Sequence, residues 1–463
     1  MTYSRPTTIP DAIFKAYDIR GIVEKSLTTD IVYAVGQAFG SAALMHKQSC
    51  VTVARDGRLS GPGLLQALID GLLSTGINVI NIGQAPTPVL YYSTFLLETG
   101  TGIMLTGSHN PPNYNGLKMV MAGVTLSGDT IQGLKNRIIN QDFNQGTGQY
   151  SEQDIAENYL SRITNDIKPV KPLKIVIDCG NGVAGELAPK LYKMMGCDVT
   201  EMYCEIDGNF PNHHPDPSQP DTLAELIAKV KELKADLGFA FDGDGDRLGV
   251  IAPSGEIIWP DRQMILYATD IIHRIPGAEI IYDIKCSRNL DSAITAAGGK
   301  ATMWKTGHSL VKAKLKETGA PLAGEMSGHI FFKDRWYGFD DALYTGARLL
   351  EILAKDGRSA HEILDSLPNM INTPELRLHM PEGEHFKFME KLQIAASFPN
   401  DKVTTIDGLR VDFVNGWGLV RASNTTPCLV IRFEGDNKQA MVEIQEKFRA
   451  LFNSLDDKLA LPF

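Results

Sequence analysis

The run Ile103-Met104-Leu105-Thr106-Gly107-Ser108-His109-Asn110-Pro111 joins a short apolar segment to a polar loop. Ile103 to Leu105 reads as a buried strand, so the loop sits at that strand's C-terminal end. A serine between Gly107, His109 and Asn110, with prolines behind it, is expected to be exposed on a stiff turn. The same order, an apolar strand followed by a chemically rich loop, recurs along the chain and points to an α/β fold.

Before this stretch, Phe14 to Gly21 carries Tyr17 and Arg20. Thr29 or Asp30 is expected to cap a helix with Ile31, Val35, Ala38, Phe39 and Ala42 on its apolar face. Val51 to Ala54 is a strand, followed by Arg55-Asp56-Gly57-Arg58. Ser60 is expected to cap a helix of helical period from Leu64 to Leu72, ended by Gly76. A strand from Ile77 to Ile82 and a helix near 88–98 complete the first round.

A second round starts with the strand at Lys174 to Ile177 and the loop Asp178 to Gly182. Thr222 and Glu225 form a capping box, and Leu237 to Phe241 is the strand that delivers Asp242. The third begins at Glu279 to Tyr282, followed by Lys285, and runs past His308 to Gly324-Glu325-Met326-Ser327-Gly328-His329. Identity between the rounds is low, so the repeat lies in element order. Ligands of open α/β sheets bind outside the carboxyl ends of the strands. The expected fold is therefore α/β: three similar mixed-sheet α/β domains around one cleft.

The last part differs. Pro368 stops a helix and Asn369 to Pro374 reads as a linker, expected to act as a hinge. Strands near 409–414, 418–422 and 428–433, with the hairpin signal Asn415-Gly416, make an antiparallel sheet. This is a C-terminal α+β domain. The expected divisions are 1–153 with the serine loop, 154–256 with an acidic loop, 257–368 with the Glu325 loop, and 369–463 with the Arg421 loop.

Bulk properties narrow the function. The chain has 463 residues and a net charge of −10, which argues against a nucleic-acid or anionic-membrane surface. No apolar run reaches the length of a membrane span. Six cysteines form no CxxC pair, and Met1 to Pro10 lacks an apolar leader core, so reduced thiols in a cytoplasmic protein are expected.

The acidic loop is Asp242-Gly243-Asp244-Gly245-Asp246-Arg247. Glycines let the backbone curl so that three carboxylates face one point, an oxygen set suited to Mg²⁺. An EF-hand fails: with Asp242 as position 1, position 6 is Arg247 and position 12 is Pro253. A solvated acidic turn is the simpler alternative. Ser108 requires activation to act as a nucleophile, and no GxSxG elbow surrounds it. His109 is either its partner or a turn residue; Lys118 is either a phosphoryl clamp or a surface lysine. Arg421, Ser423, Asn424 and Thr425 gather anion donors in one loop. Glu325, Ser327 and His329 offer partners for sugar hydroxyls. Arg58, His213 and His214 carry no role that the sequence supports.

Four loops in this order, Thr106 to Pro111, Asp242 to Arg247, Gly324 to His329 and Arg421 to Thr425, resemble the α-D-phosphohexomutases over the whole chain. The match is nearest to the bacterial phosphomannomutase/phosphoglucomutase group. The resemblance implies that Ser108 is a phosphoserine, and that Ser108, Asp242, Asp244 and Asp246 hold Mg²⁺. It implies that Arg247 lies beside the transferred phosphoryl group and that Glu325 and Ser327 contact sugar hydroxyls. Arg421, Ser423, Asn424 and Thr425 would hold the substrate's phosphate, with Tyr17, Arg20, Lys118, Lys285, His308 and His329 lining the cleft. His329, supported by Lys118 and Arg20, is the expected proton carrier. The implied reaction interconverts mannose or glucose 1- and 6-phosphates through a hexose 1,6-bisphosphate, which also serves as activator. A monomer with no nucleic-acid or membrane partner is expected. A phosphoglucosamine mutase, a Mg²⁺-dependent sugar phosphatase and a non-catalytic sugar-phosphate binder are the alternatives.

Overall fold

The apolar run before Ser108 forms the strand Gly102–Leu105, buried at every residue. Its neighbour on one side is Cys50–Arg55, which runs parallel to it and to Asn78–Gln84. On the other side the chain returns as Tyr114–Met121, antiparallel, with Lys118 opposite Met104. Ile19–Ile22 then pairs antiparallel with that return strand, setting Arg20 opposite Gly116. The chain reversal thus sets Lys118 beside the strand that presents Ser108, with Arg20 one strand further out. Tyr150–Glu152 and Val124–Thr125 complete a seven-stranded mixed sheet.

These elements belong to a computed structural model that describes residues 3–4, 6, 9–169, 171–424 and 426–463. The chain divides into two compact units. The first comprises Met1–Pro260, His308–Leu322 and Ser327–Ser366; the second comprises Asp261–Gly307, Ala323–Met326 and Leu367–Phe463.

In the first unit, helices Thr29–Met45 and Gly61–Leu73 bury their apolar faces, including Val35, Phe39, Leu68 and Leu72, in one core. They pack closely because Gly71 has no side chain: a Cβ there would lie 2.2 Å from the Tyr33 carbonyl oxygen. A second mixed sheet has the order Ile257–Ile258, Leu248–Ile251, Leu237–Phe241, Lys174–Asp178, Asp198–Met202. Leu237–Phe241 runs parallel to Lys174–Asp178 and antiparallel to Leu248–Ile251, so residues 242–247 form the hairpin loop between them.

Helix Ala342–Lys355 starts at Asp341, whose carboxylate accepts the Tyr344 N–H at 2.9 Å and the Tyr159 hydroxyl at 2.8 and 2.9 Å. Burial raises the Asp341 carboxyl from 3.8 to about 7, only partly offset by these hydrogen bonds. The folded state therefore holds this proton more tightly than the unfolded chain. Its contribution to stability is full below pH ~4 and is lost as pH rises to ~7. Asp341→Asn keeps an acceptor for both donors and is expected to flatten the fall of stability across that window, measured by urea midpoints against pH.

In the second unit, Glu279–Asp283 pairs in parallel with Lys300–Trp304. The C-terminal sheet is antiparallel, in the order Ile371–Asn372, Cys428–Gly435, Gly416–Ala422, Leu409–Phe413, Lys402–Thr404. Leu376–His379 also pairs with Cys428–Gly435. Helices Glu384–Ala395 and Lys438–Leu455 bury Met389, Leu392, Ile444 and Phe448 with this sheet's apolar face. The α/β class with an antiparallel C-terminal sheet is thus present as the sequence indicated.

Several local expectations change. Thr28, not Thr29 or Asp30, caps the first long helix: its side chain accepts the Ile31 N–H. Ser60 is itself helical (φ −73°, ψ −13°), and its side chain makes no cap. The box at Thr222 and Glu225 does not form, because a 3₁₀ turn, Pro220–Leu223, precedes the helix there. Thr222 instead donates to the carbonyls of Asp216 and Gln219, and Glu225 accepts from Tyr203. The segment 369–374 is no free linker: Ile371 and Asn372 pair with Gly435 and Glu434, and Thr373 accepts the Phe433 N–H at 3.1 Å. Among the described residues no helix is long and apolar enough to cross a membrane.

Candidate active site

Ser108 is buried rather than exposed, with φ +50°. Its turn is tightened by Asn110 N–H to Gly107 O at 2.9 Å and by Ser108 N–H to Thr106 Oγ1 at 2.8 Å. The acidic loop covers it, so closely that a Cβ on Gly243 would meet the Ser108 carbonyl oxygen at 2.4 Å. Ser108 Oγ lies 3.2 Å from His109 Nδ1 and 3.4 Å from Asp242 Oδ2.

The hairpin loop converges as its glycines suggested. Asp242, Asp244 and Asp246 are all fully buried, and each places one carboxylate oxygen within 4.8 Å of the others. Asp242 Oδ1 accepts the main-chain N–H groups of Asp246 and Arg247, both at 3.1 Å, which closes the loop on itself. Thr87 and Lys118 donate to Asp244 Oδ2 at 2.5 and 2.7 Å, and Lys118 also bonds Asp246. Among the described residues, Asp244 Oδ1 and Asp246 Oδ1 are buried with no hydrogen-bond partner. Such orphan oxygens are costly unless a cation satisfies them. The cluster therefore fits a metal ion.

The charges are strongly coupled. Burial, then repulsion from Asp246 and Asp244, pushes the Asp242 carboxyl up to about 8. Asp244 moves the other way: burial opposes its charge, but Lys118 holds it below the usual range. Lys118 is likewise kept protonated against its burial by Asp244 and Asp246. Arg247 reaches Asp242 at 3.0 Å through Nε and Asp216 at 3.3 Å through Nη1.

A histidine cluster lies in the same unit. His329 Nδ1 sits 2.9 Å from Asp340 Oδ2 and 3.7 Å from Asp246 Oδ1. Lys312 holds the other Asp340 oxygen at 3.0 Å. The His308 ring stacks on His329 with centroids 5.6 Å apart, and Tyr17 meets His308 edge-on at 6.1 Å. Burial, then Lys312, keeps His308 well below the usual imidazole range; burial, then Arg247, does the same for His109. Arg20 is held by Asp18 at 2.6 Å. Ser327 is half-buried, two residues before His329. The first unit thus assembles Ser108, His109, Lys118, the three aspartates and Arg247, with His329, His308 and Tyr17 linked through Asp246.

The second unit gathers the remaining residues. Lys285 pairs with Glu375 at 2.6 Å, and Glu375, despite desolvation, is drawn down to about 2 by that ammonium. Glu325 is buried and accepts the Gly307 N–H at 2.5 Å. Arg421 Nε and Thr306 N–H both donate to Asp407 Oδ2 at 3.0 Å. Ser423 Oγ accepts the Thr426 N–H at 3.2 Å, and Asn424 is half-buried beside it. Thr425 lies outside the described residues. Thr87, Asp216, Lys312, Asp340, Glu375 and Asp407 are additional partners that the sequence did not single out, since each stands outside the four loops.

Models of phosphoglucomutase/phosphomannomutase alpha/beta/alpha domains I, II and III match residues 11–145, 157–255 and 259–371, and the C-terminal domain model matches 375–451. The chain belongs to the phosphoglucomutase/phosphomannomutase family. It is 52% identical over 463 residues to a phosphomannomutase/phosphoglucomutase of Pseudomonas aeruginosa, covering 100% of both chains. It is 51% identical over 446 residues to a phosphoglucomutase of Neisseria gonorrhoeae, covering 96% of this chain and 97% of that one. A crystal structure of a family protein from Burkholderia thailandensis superposes with a TM-score of 0.94 at 53% identity, over 98% of this chain and 100% of that one.

Proposed function

We propose that this enzyme is a phosphohexomutase that interconverts the 1- and 6-phosphates of mannose and of glucose. One observation carries the reading: Ser108 Oγ sits against a buried cluster of three carboxylates whose charge is only partly offset by Lys118. Asp242, Asp244, Asp246 and phosphoserine 108 would hold Mg²⁺, whose two positive charges would offset much of the carboxylate charge that Lys118 leaves. Bound there, Mg²⁺ would supply Lewis-acid stabilisation of phosphoryl oxygens.

Phosphoserine 108 gives its phosphoryl group to the free hydroxyl of a hexose 1-phosphate or 6-phosphate. The O–P bond to serine breaks as the bond to the sugar oxygen forms, and His329 takes the hydroxyl proton. Lys118 and Arg20 support that transfer, and His109, whose charged form is disfavoured by burial and then by Arg247, borders the serine. Arg247 and Lys118 offset charge on the equatorial oxygens of a loose transition state. The hexose 1,6-bisphosphate then turns end over end and returns its other phosphate to Ser108. Arg421, Ser423, Asn424 and Thr425 hold the phosphate that is not reacting. Glu325 and Ser327 bind sugar hydroxyls, with Tyr17, Lys285 and His308 completing recognition. Six unpaired cysteines support a reducing compartment, and we place the reaction in the cytoplasm.

The test is a ³¹P NMR time course with Mg²⁺, a trace of glucose 1,6-bisphosphate and either mannose 1-phosphate or glucose 1-phosphate. Both are expected to convert to 6-phosphates. Inorganic phosphate without isomerisation would make the protein a phosphatase. No change with either sugar, but conversion of glucosamine 1-phosphate, would move the assignment to that substrate.

A further inference from the structure

Arg58 is fully buried, and its five guanidinium N–H groups meet five acceptors. Nη1 donates to the carbonyls of Pro111 at 2.6 Å and Tyr114 at 3.0 Å. Nη2 donates to those of Ser108 at 2.8 Å and Asn110 at 2.6 Å. Nε donates to Asp56 Oδ2 at 3.1 Å. Asp56 grips the other side of the serine, accepting the Gly107 N–H at 3.1 Å and the Thr106 hydroxyl at 2.8 Å. Phe210 covers the guanidinium at 5.2 Å from its ring centroid. Gly107 has no room for a side chain, because a Cβ would stand 2.3 Å from Arg58 Cζ.

This pair explains how Ser108 keeps a left-handed backbone, which a residue with a Cβ rarely adopts without outside support. The carbonyls of residues 108, 110, 111 and 114 all turn toward one planar cation. A lysine offers three donors from a single point and cannot reproduce that fork. We propose that Arg58, aligned by Asp56, is a positioning residue that holds the Ser108 turn in the geometry required for phosphoryl transfer. It acts through the loop backbone, and the inference rests on Ser108 being the phosphoryl carrier.

The experiment compares Arg58→Lys, Arg58→Ala and Ser108→Ala, each checked for folding by near-UV circular dichroism. The readouts are kcat and KM for glucose 1-phosphate, and the rate at which glucose 1,6-bisphosphate phosphorylates Ser108, followed by intact mass. Arg58→Lys is expected to lower kcat and serine phosphorylation by ~100-fold, as for a reacting group displaced by about 1 Å. KM should stay within about twofold of the starting enzyme. Ethylguanidinium should restore part of the rate to Arg58→Ala, and ethylammonium should not. A folded Arg58→Lys variant with full kcat and normal phosphorylation overturns the proposal, as does a change confined to KM. If the Arg58 variants do not fold, Asp56→Asn replaces them and is judged on the same split. Full turnover by Ser108→Ala would overturn the phosphoserine assignment itself, whatever the Arg58 variants do.

Discussion

Ser108→Ala is expected to lower mutase turnover by roughly 10⁴-fold or more, the scale on which losing a covalent nucleophile acts. The reason is that the proposed phosphoryl carrier is removed, while the neighbouring Thr87 and Thr106 hydroxyls are tied to Asp244 and Asp56. Lys118 and Arg247 can stabilise a transferring phosphoryl group but have no oxygen to carry it, and the aspartates are engaged by those two cations. The fold should tolerate the change. Ser108 Oγ makes a 3.2 Å contact with His109 and a long 3.4 Å contact with Asp242, while the turn is held through main-chain groups. Stability is therefore expected to shift by only about 1 kcal/mol, the usual worth of a hydrogen bond. Calorimetry should find glucose 1-phosphate bound with near-normal affinity while ³¹P NMR finds no isomerisation. Turnover surviving in the alanine variant would remove the phosphoserine from the mechanism.

Lys118→Met is expected to have the largest effect on stability, and that effect should depend on metal. Lys118 is nine-tenths or more buried and is shared by Asp244 and Asp246, whose side chains are fully buried. Removing one partner of a buried ion pair leaves its counter-charge stranded, at a cost of about 3–5 kcal/mol. Without divalent cation, urea unfolding should therefore show a loss of that size. Saturating Mg²⁺ should recover much of it, because a ligand that binds only the folded state adds RT ln(1 + [L]/Kd). The starting enzyme should gain less from Mg²⁺, since its lysine already offsets the carboxylates. Equal gains in both proteins would show that Lys118 and the metal do not answer the same charge. Activity of the variant should remain low even with Mg²⁺, because the ammonium is lost from the transferring group.

The four loops carried their chemistry openly because each is local. Gly243 and Gly245 between the aspartates let one short loop converge on a point, and that convergence is what the structure contains. Hairpin and strand patterns at Asn415-Gly416 and Leu237 to Phe241 were legible for the same reason. Cap positions were less so. Ser60 reads as a cap by type, yet its backbone is already helical, and a residue's type does not reveal its φ and ψ.

By itself, then, the sequence of this protein determined the α/β class, the antiparallel C-terminal sheet, the order of the four loops and the residues that bear charge there. The partners were settled by tertiary structure alone. Thr87 meets Asp244 across 157 positions, and Lys118 reaches Asp246 across 128. Burial of Ser108, the lowered pKa of His109, the pairing of His329 with Asp340 and the grip of Arg58 on the serine turn all follow from such contacts. No local pattern records them, because desolvation and charge coupling depend on which distant segments exclude water from the same small volume.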